Sequence, residues 1–329
     1  FFWTSMFARS LCRSTFRVSQ ASALRYERAA PLIPQYQQQR NATSLKELKN
    51  RMNTIKTIQK ITSSMNKLAT SRLKAARERN EDLAQPFLEI NMAFLKGNGM
   101  EEIVVGDEVP KTKPKELVIV VSTDRGMCGA TNSGIIRNVK SLLLANRGES
   151  EYYLAIAGSK AASGLKRDFI KYYHTNVQEL GKKKLSFVDV EPLITVLSEV
   201  TDYDRLRIVA NQWESVVASR IVHRLLPNPK NMIDEMKESY YGYEYDNTEE
   251  AELFQNLQEH LTACIIYGCI IENQAVELAA RMNSMDNATN NAGDMHNNLS
   301  LLYNRTRQAG ITTELSEIIA GAASVQEQD

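Results

Sequence analysis

From Glu250 to Asp329 the chain carries eighty residues without a proline. At 1.5 Å per residue such a stretch makes a helical rod of about 110–120 Å, far longer than a globular domain needs. Yet the stretch is rich in Asn and small residues, which are mediocre helix formers. Packing against something else, rather than intrinsic propensity, must therefore hold the rod.

Its apolar positions name the kind of partner required. Leu253, Leu257, Leu261, Ile265, Val276, Ala279, Met282, Ala288, Ala292, Met295, Leu299, Leu302 and Ile318 form a stripe whose period lies between about 3.5 and 3.6, as in a coiled coil. The other long stripe lies at the opposite end of the chain: Leu45, Leu48, Met52, Ile55, Ile58, Ile61, Met65, Leu68 and Leu73. Ser44, three residues before Glu47, has the spacing of a capping box at its start. The stripe continues past Pro86, with a kink expected there, and ends at Gly97-Asn98-Gly99. The two stripes are expected to pair antiparallel, with Ala275, Ala279, Ala288 and Ala292 permitting close approach of the backbones.

Charge is distributed to match. Forty basic and 39 acidic residues nearly cancel over the whole chain, so bulk charge does not point to nucleic acid. Ser44–Asp82 holds ten Lys/Arg against four Asp/Glu, whereas Ile270–Ala323 holds three against six. Two segments lying side by side read this way, as do two unrelated solvated faces.

Residues 1–41 differ from the rest. They contain six arginines, no lysine and one acid, Glu27, with Phe7, Leu11, Ser14 and Val18 at helical spacing. That is the composition of a mitochondrial transit peptide, cleaved after Asn41, with a disordered basic tail as the alternative. Met6 suits an initiation residue.

Between the stripes, strands are expected at 116–121, 152–157, 169–174, 205–212 and 219–226, and helices at 133–144, 159–167 and 189–200. Residues 100–115 read as a loop. Alternating strands and helices over this length indicate an open α/β domain. The fold class is therefore α/β with long helices: an antiparallel coiled coil of the two ends with an inserted, Rossmann-like domain. The divisions fall at 1–41, 42–97, 98–248 and 249–329.

Chemistry is sparse. Ser122-Thr123-Asp124-Arg125-Gly126-Met127-Cys128-Gly129-Ala130 links a strand to a helix, and such a turn can offer backbone N–H groups to phosphate. It is neither GxGxxG nor GxxxxGK[ST], so tight-turn glycines are the stronger reading. Asp124 and Arg125 read as a local ion pair or turn cap. Cys12, Cys128, Cys264 and Cys269 form no CxxC pair, and His174, His223, His260 and His296 stand singly. The sequence shows no acid/base pair, triad or metal cluster, and no apolar run of the length a membrane span requires.

Two blocks carry a resemblance. Ala42-Thr43-Ser44-Leu45-Lys46-Glu47-Leu48-Lys49-Asn50-Arg51-Met52, followed by Ile55 to Ala69, resembles the opening of the gamma subunits of F-type ATP synthases. Ala280-Arg281-Met282, Asp286-Asn287-Ala288 and Asn304-Arg305-Thr306-Arg307-Gln308-Ala309-Gly310-Ile311-Thr312-Thr313-Glu314-Leu315 are similar to that family's C-terminal signature. The 122–130 turn looks like the family's turn after the first strand of the inserted domain.

The resemblance implies a non-catalytic rotor shaft with no cofactor, turning inside a ring of alpha and beta subunits. The α/β domain would be its foot on the membrane c-subunit ring, beside delta and epsilon. The presequence implies the matrix side of the mitochondrial inner membrane. Met65 falls at the position near the acidic lever of beta. Arg307 and Gln308 match a pair that touches a loop of the catalytic ring, with Thr312, Thr313 and Glu314 on the adjoining face. Asp124, Arg125, Gly126 and Gly129 would form the structural turn of the foot. Only Cys128 lies where chloroplast members carry a regulatory cysteine pair, so thiol control of that type is not expected. The rival reading is a nucleotide- or small-molecule-binding α/β protein that dimerises through its helical ends.

Overall fold

The computed structural model describes residues 44–89, 101–104, 115–145, 151–180, 185–200, 203–227 and 250–326. The presequence, the Gly97–Gly99 stop and the start of the C-terminal helix at residue 249 lie outside the described residues.

Helix α1 (Leu45–Arg79) starts as its sequence directs, with the Ser44 hydroxyl accepting from the Glu47 N–H at 3.2 Å. The reciprocal half of the capping box is not made. Glu47 pairs instead with Arg51 one turn on, at 2.6 Å. Pro86 has no N–H to donate and its ring would crowd the carbonyl of Asp82. The chain meets this conflict with a π turn over Asn80–Ala84, in which the N–H of Gln85 reaches back to the Asn80 carbonyl. Helix then continues to residue 89.

Strands β1 (Glu101–Val104), β2 (Glu116–Val121), β3 (Tyr152–Ala157), β4 (Tyr173–Val177), β5 (Arg205–Trp213) and β6 (Ser219–Pro227) form one sheet in the order β1-β6-β5-β2-β3-β4. β2 lies at its centre, parallel to β3 and to β5, so that Ile119 faces Ala155 on one side and Ile208 on the other. β6 and β1 extend the sheet antiparallel. Helices α2 (Thr131–Ala145) and α3 (Ser159–Phe169) cover one face, where Val118 and Val120 point. Helix α4 (Glu191–Glu199) and the first half of α5 (Glu250–Gln326) cover the other, where Leu117, Ile119 and Val121 point. β2 is thus buried on both faces, the reason it reads as an unbroken apolar run.

Two expectations need correction. The segment 100–115, read as a loop, contains β1, whose Ile103 pairs with His223. The strand expected at 169–174 begins at Tyr173. Phe169 instead completes the buried face Ala161, Ala162, Leu165 of α3, and a 3₁₀ turn at Ile170–Tyr172 intervenes. The last helix of the domain opens with a 3₁₀ turn, Phe187–Val190, under a capping box between Ser186 and Asp189, and carries Pro192 in its first turn as expected.

Helix α5 serves two structures. Leu261, Ile265, Ile266, Cys269 and Ile270 are part of the sheet's core, and the second half runs antiparallel along α1. Its most apolar 18-residue window has a mean hydropathy of 1.2, although the sequence is expected to hold no run suited to a membrane span. That window is 72% buried inside the fold, where its apolarity serves as core.

Candidate functional surface on the paired helices

On α1 the residues in the seam are Leu48, Met52, Ile55, Gln59, Thr62, Asn66, Ala69, Leu73, Ala76 and, just beyond, Asn80, all buried or half-buried. Their spacing alternates strictly between four and three, a heptad repeat. On α5 the matching series is Leu278, Met282, Met285, Thr289, Ala292, His296, Leu299 and Tyr303, again buried or half-buried. Thr289 donates to Thr62 at 2.8 Å and Asn66 donates to Asp286 at 3.1 Å, which fixes the antiparallel register. Opposite Gln59, a Cβ on Gly293 would stand 3.2 Å from its amide nitrogen.

The seam coincides only in part with the apolar stripes read from the sequence: Leu48, Met52, Ile55 and Leu73 lie in it, as do Met282, Ala292 and Leu299 on α5. Ile58, Ile61 and Leu68 belong to the α1 stripe but are 46%, 54% and 50% exposed. With half-buried Met65 they form an apolar flank beside the seam. Met295, Leu302 and Ile318 of the α5 stripe are likewise exposed. The apolar surface of α1 is thus wider than one partner helix covers. Lys46, Lys49, Lys56, Lys60 and Lys67 are exposed and have no ion-pair partner among the described residues, so the charge match between the two ends produces no clamp.

Arg307, Gln308, Thr312, Thr313 and Glu314 are all exposed, where α5 outruns the start of α1. Thr312 and Thr313 return their hydroxyls to the carbonyls of Gln308 and Ala309 on the same helix. Ile311, Leu315, Ile318 and Ile319 form an exposed apolar ridge along this bare tip.

The 122–130 turn stands at the foot of the pair. Asp124 is a cap, not the partner of Arg125. Its carboxylate accepts from the N–H of Ser159 at 2.9 Å and of Glu179 at 2.8 Å. A carboxylate therefore already occupies the start of α3. Gly129 adopts φ +61, but Gly126 does not need that freedom; Met127 takes the left-handed conformation instead, at φ 60. The tightest glycine is Gly158, at φ +106, where a Cβ would lie 2.8 Å from the Ser122 backbone. Met65 and this turn, read separately from sequence, meet across a cleft of ≈ 290 Å³ that Asp124, Arg125, Gly126 and Arg281 also line. Arg281 donates to the Gly126 carbonyl at 3.3 Å and to Glu277 at 2.5 Å. Burial, followed by the nearby Glu277 carboxylate, pushes the Cys128 thiol up, away from the nucleophilic thiolate.

A buried polar cluster escaped sequence reasoning. Arg207 and Glu116 form a two-pronged pair at 2.7 and 2.8 Å inside the sheet's α2 side. His223 lies 3.3 Å from Arg207 through Nδ1 and 2.6 Å from Asn138 through Nε2. A guanidinium can only donate, so Nδ1 accepts and Nε2–H donates to Asn138. Burial, reinforced by the Arg207 charge, holds the His223 pKa down at about 4. The ring nitrogens are tied into packing, and this cluster supports the sheet rather than a reaction.

A family profile described as ATP synthase matches residues 44–325, essentially the whole described span. The chain belongs to the ATP synthase gamma-subunit family. It is 36% identical over 296 residues to the mitochondrial ATP synthase subunit gamma of Arabidopsis thaliana, covering 86% of each chain. The mitochondrial F(1) complex subunit gamma of Dictyostelium discoideum is 32% identical, covering 88% of this chain and 95% of that protein. Among solved structures, a chain of the Tetrahymena thermophila mitochondrial ATP synthase central stalk and c-ring aligns with a TM-score of 0.56 at 25% identity, covering 69% of this chain and 99% of that one. A chain of the Euglena gracilis mitochondrial enzyme shares the fold at a TM-score of 0.70 and 18% identity, over 85% of this chain and 94% of that one. The helix pair, the inserted sheet and the exposed tip are therefore the gamma-family fold.

Proposed function

We propose that this gamma-family chain is the central rotor shaft of a mitochondrial F-type ATP synthase. It couples proton-driven rotation of the membrane c-ring to conformational cycling of the catalytic beta subunits, without a catalytic site of its own. Residues 42–97 and 249–329 form the shaft and residues 98–248 the foot, which meets the c-ring and the delta and epsilon subunits on the matrix side of the inner membrane.

One observation carries this reading: the seam between α1 and α5 is satisfied, yet apolar surface remains on both helices. Ile58, Ile61 and Leu68 face outward and the tip ridge of α5 stands bare. Such surface suits an enclosing partner. A lopsided rod turning inside a near-threefold ring presents a different side to each beta subunit in turn. Each beta subunit then favours the conformation with which its contacts differ most favourably. The exposed lysines of α1 suit this motion, because exposed ion pairs contribute only about 0–1 kcal/mol each and exchange readily.

Within this scheme Met65 meets the acidic lever of beta, and Arg307 and Gln308 meet a catalytic-ring loop, with Thr312, Thr313 and Glu314 beside them. Arg307→Ala together with Gln308→Ala is expected to impair ATP synthesis and coupled hydrolysis in the reconstituted complex, with nucleotide binding to the ring intact. Normal turnover and torque in that variant would remove the assignment of those two residues.

A further inference from the structure

Among the described residues, polar contacts from the α/β domain reach α5 but not Leu45–Arg79 of α1. Asn273 of α5 accepts from Asn211 at 2.8 Å and donates to the Ser122 carbonyl at 3.1 Å. Gln274 donates to the Leu180 carbonyl at 3.3 Å, and Asn283 donates to the Val216 carbonyl at 2.8 Å. Glu272 accepts from the Trp213 N–H at 2.9 Å and faces Arg224 at 3.5 Å. Arg281 reaches the Gly126 carbonyl. The anchors thus come from β5 and β6 and from the turns after β2, β4 and β5.

At 100° per residue, these α5 side chains are spread over about 200° of the helix circumference and along about 16 Å of its length. Glu272, Asn273 and Arg281 are buried, so they are held in place rather than trailing in solvent. By contrast, Leu45–Arg79 of α1 makes no hydrogen bond or ion pair with the α/β domain among the described residues. Met65, Leu68, Ala69 and Arg72 merely border the cleft below Asp124–Met127. The polar links of α1 across the shaft run to α5 through Thr62 and Asn66.

Apolar contact is non-directional and resists sliding weakly, whereas a hydrogen bond weakens steeply as its angle opens. Hydrogen bonds distributed around a helix therefore oppose its rotation within its socket. We infer that α5 is the drive helix: torque on the foot enters the shaft through Asn273, Gln274, Arg281 and Asn283 with Glu272, and α1 is carried by the seam. This rests on the rotor reading.

The test uses the assembled synthase with a probe on the foot and the catalytic ring arrested by a non-hydrolysable ATP analogue. Angular fluctuations of the probe give torsional stiffness. Asn273→Ala, Gln274→Ala and Asn283→Ala together are expected to soften the rotor about twofold or more, because four directional restraints are lost. ATP synthesis should fall more than ATP hydrolysis, since hydrolysis in the ring does not pass through the foot. Arg72→Ala, on the α1 side, should leave stiffness unchanged.

Should the triple variant assemble poorly, Asn283→Ala alone, at a half-buried position, should still soften the rotor measurably. Wild-type stiffness in an assembled Asn283→Ala or triple variant, or equal softening by Arg72→Ala, would overturn the inference. A wild-type complex that fails to rotate at all would instead overturn the rotor reading itself.

Discussion

Thr289 donates its hydroxyl to that of Thr62 across the shaft at 2.8 Å, and each also has a carbonyl of its own helix in reach, Met285 at 2.7 Å and Gln59 at 3.1 Å. Two polar side chains thus occupy facing seam positions without an orphaned atom. Thr62→Val alone is expected to cost about 1 kcal/mol, whereas Thr62→Val with Thr289→Val should be nearly neutral. A double-mutant cycle on denaturant unfolding should return a coupling of about 0.5–1.5 kcal/mol. Strict additivity would show that the hydroxyl pair contributes nothing to register.

Asn80, fully buried where the seam enters the π turn, has no hydrogen-bond partner for either end of its amide among the described residues. Replacing it with the near-isosteric Leu removes two desolvated polar atoms and should stabilise the chain by about 1–3 kcal/mol. A raised thermal midpoint checks this. A lowered one would reveal a water or partner satisfying the amide.

Glu116 and Arg207 are both buried, Arg207 at 1% exposure. Glu116→Ala strands a guanidinium in the sheet's core and should cost about 3–5 kcal/mol, whereas an apolar replacement of both partners should be close to neutral. Equal loss from the single and double variants in chemical denaturation would contradict this account.

His223 sets a pH dependence whose sign follows from its lowered pKa. Between an unfolded value of about 6.5 and the folded value of about 4, the unfolded chain binds the proton and the folded chain does not. The contribution of neutral His223 is full above pH 6.5, is lost progressively as pH falls towards 4, and levels off below. The whole loss is on the order of 3 kcal/mol. His223→Gln should flatten the stability curve across that window. An unchanged slope would place the proton uptake elsewhere.

Legibility in the sequence followed physical contrast. β2 and β3 announced themselves because strands buried on both faces are continuously apolar between turn residues, whereas β5 and β6 were legible through Ile208-Val209-Ala210 and Leu225-Leu226 despite Arg207, Asn211, His223 and Arg224 within them. β1 did not, because four residues beside several charges carry too little signal. The helix pairing was legible, but its register was not. The seam passes through Gln59, Thr62 and Asn66, while Ile58, Ile61 and Leu68 point outward. Apolarity selected Leu48, Met52, Ile55 and Leu73 of the seam together with these outward residues and did not distinguish the two sets. Thr62 meets Thr289 across 227 positions of chain, a relation no local pattern encodes. Arg307 and Gln308 came from resemblance alone, because exposed polar residues on a helix look like any solvated face. The anchoring contacts of Asn273 and Asn283 were hidden because a polar residue in a helical sequence reads as solvated whether or not the fold buries it.

The outward flank gives a comparison between the free and the assembled states. Ile58→Ala with Ile61→Ala should change the unfolding free energy of the isolated chain by no more than about 0.5 kcal/mol per site, as exposed positions do. In the assembled complex it should lower turnover. Normal turnover there would mean that the flank faces solvent in the working machine.

The most direct measurement is single-molecule rotation of the assembled complex, with the catalytic ring fixed to a surface and a probe attached to the foot of this chain. ATP should drive unidirectional turning of the probe, and the purified chain alone should neither bind nor hydrolyse ATP. A stationary probe in a hydrolysing complex, or nucleotide turnover by the isolated chain, would contradict the assignment of this chain as the shaft.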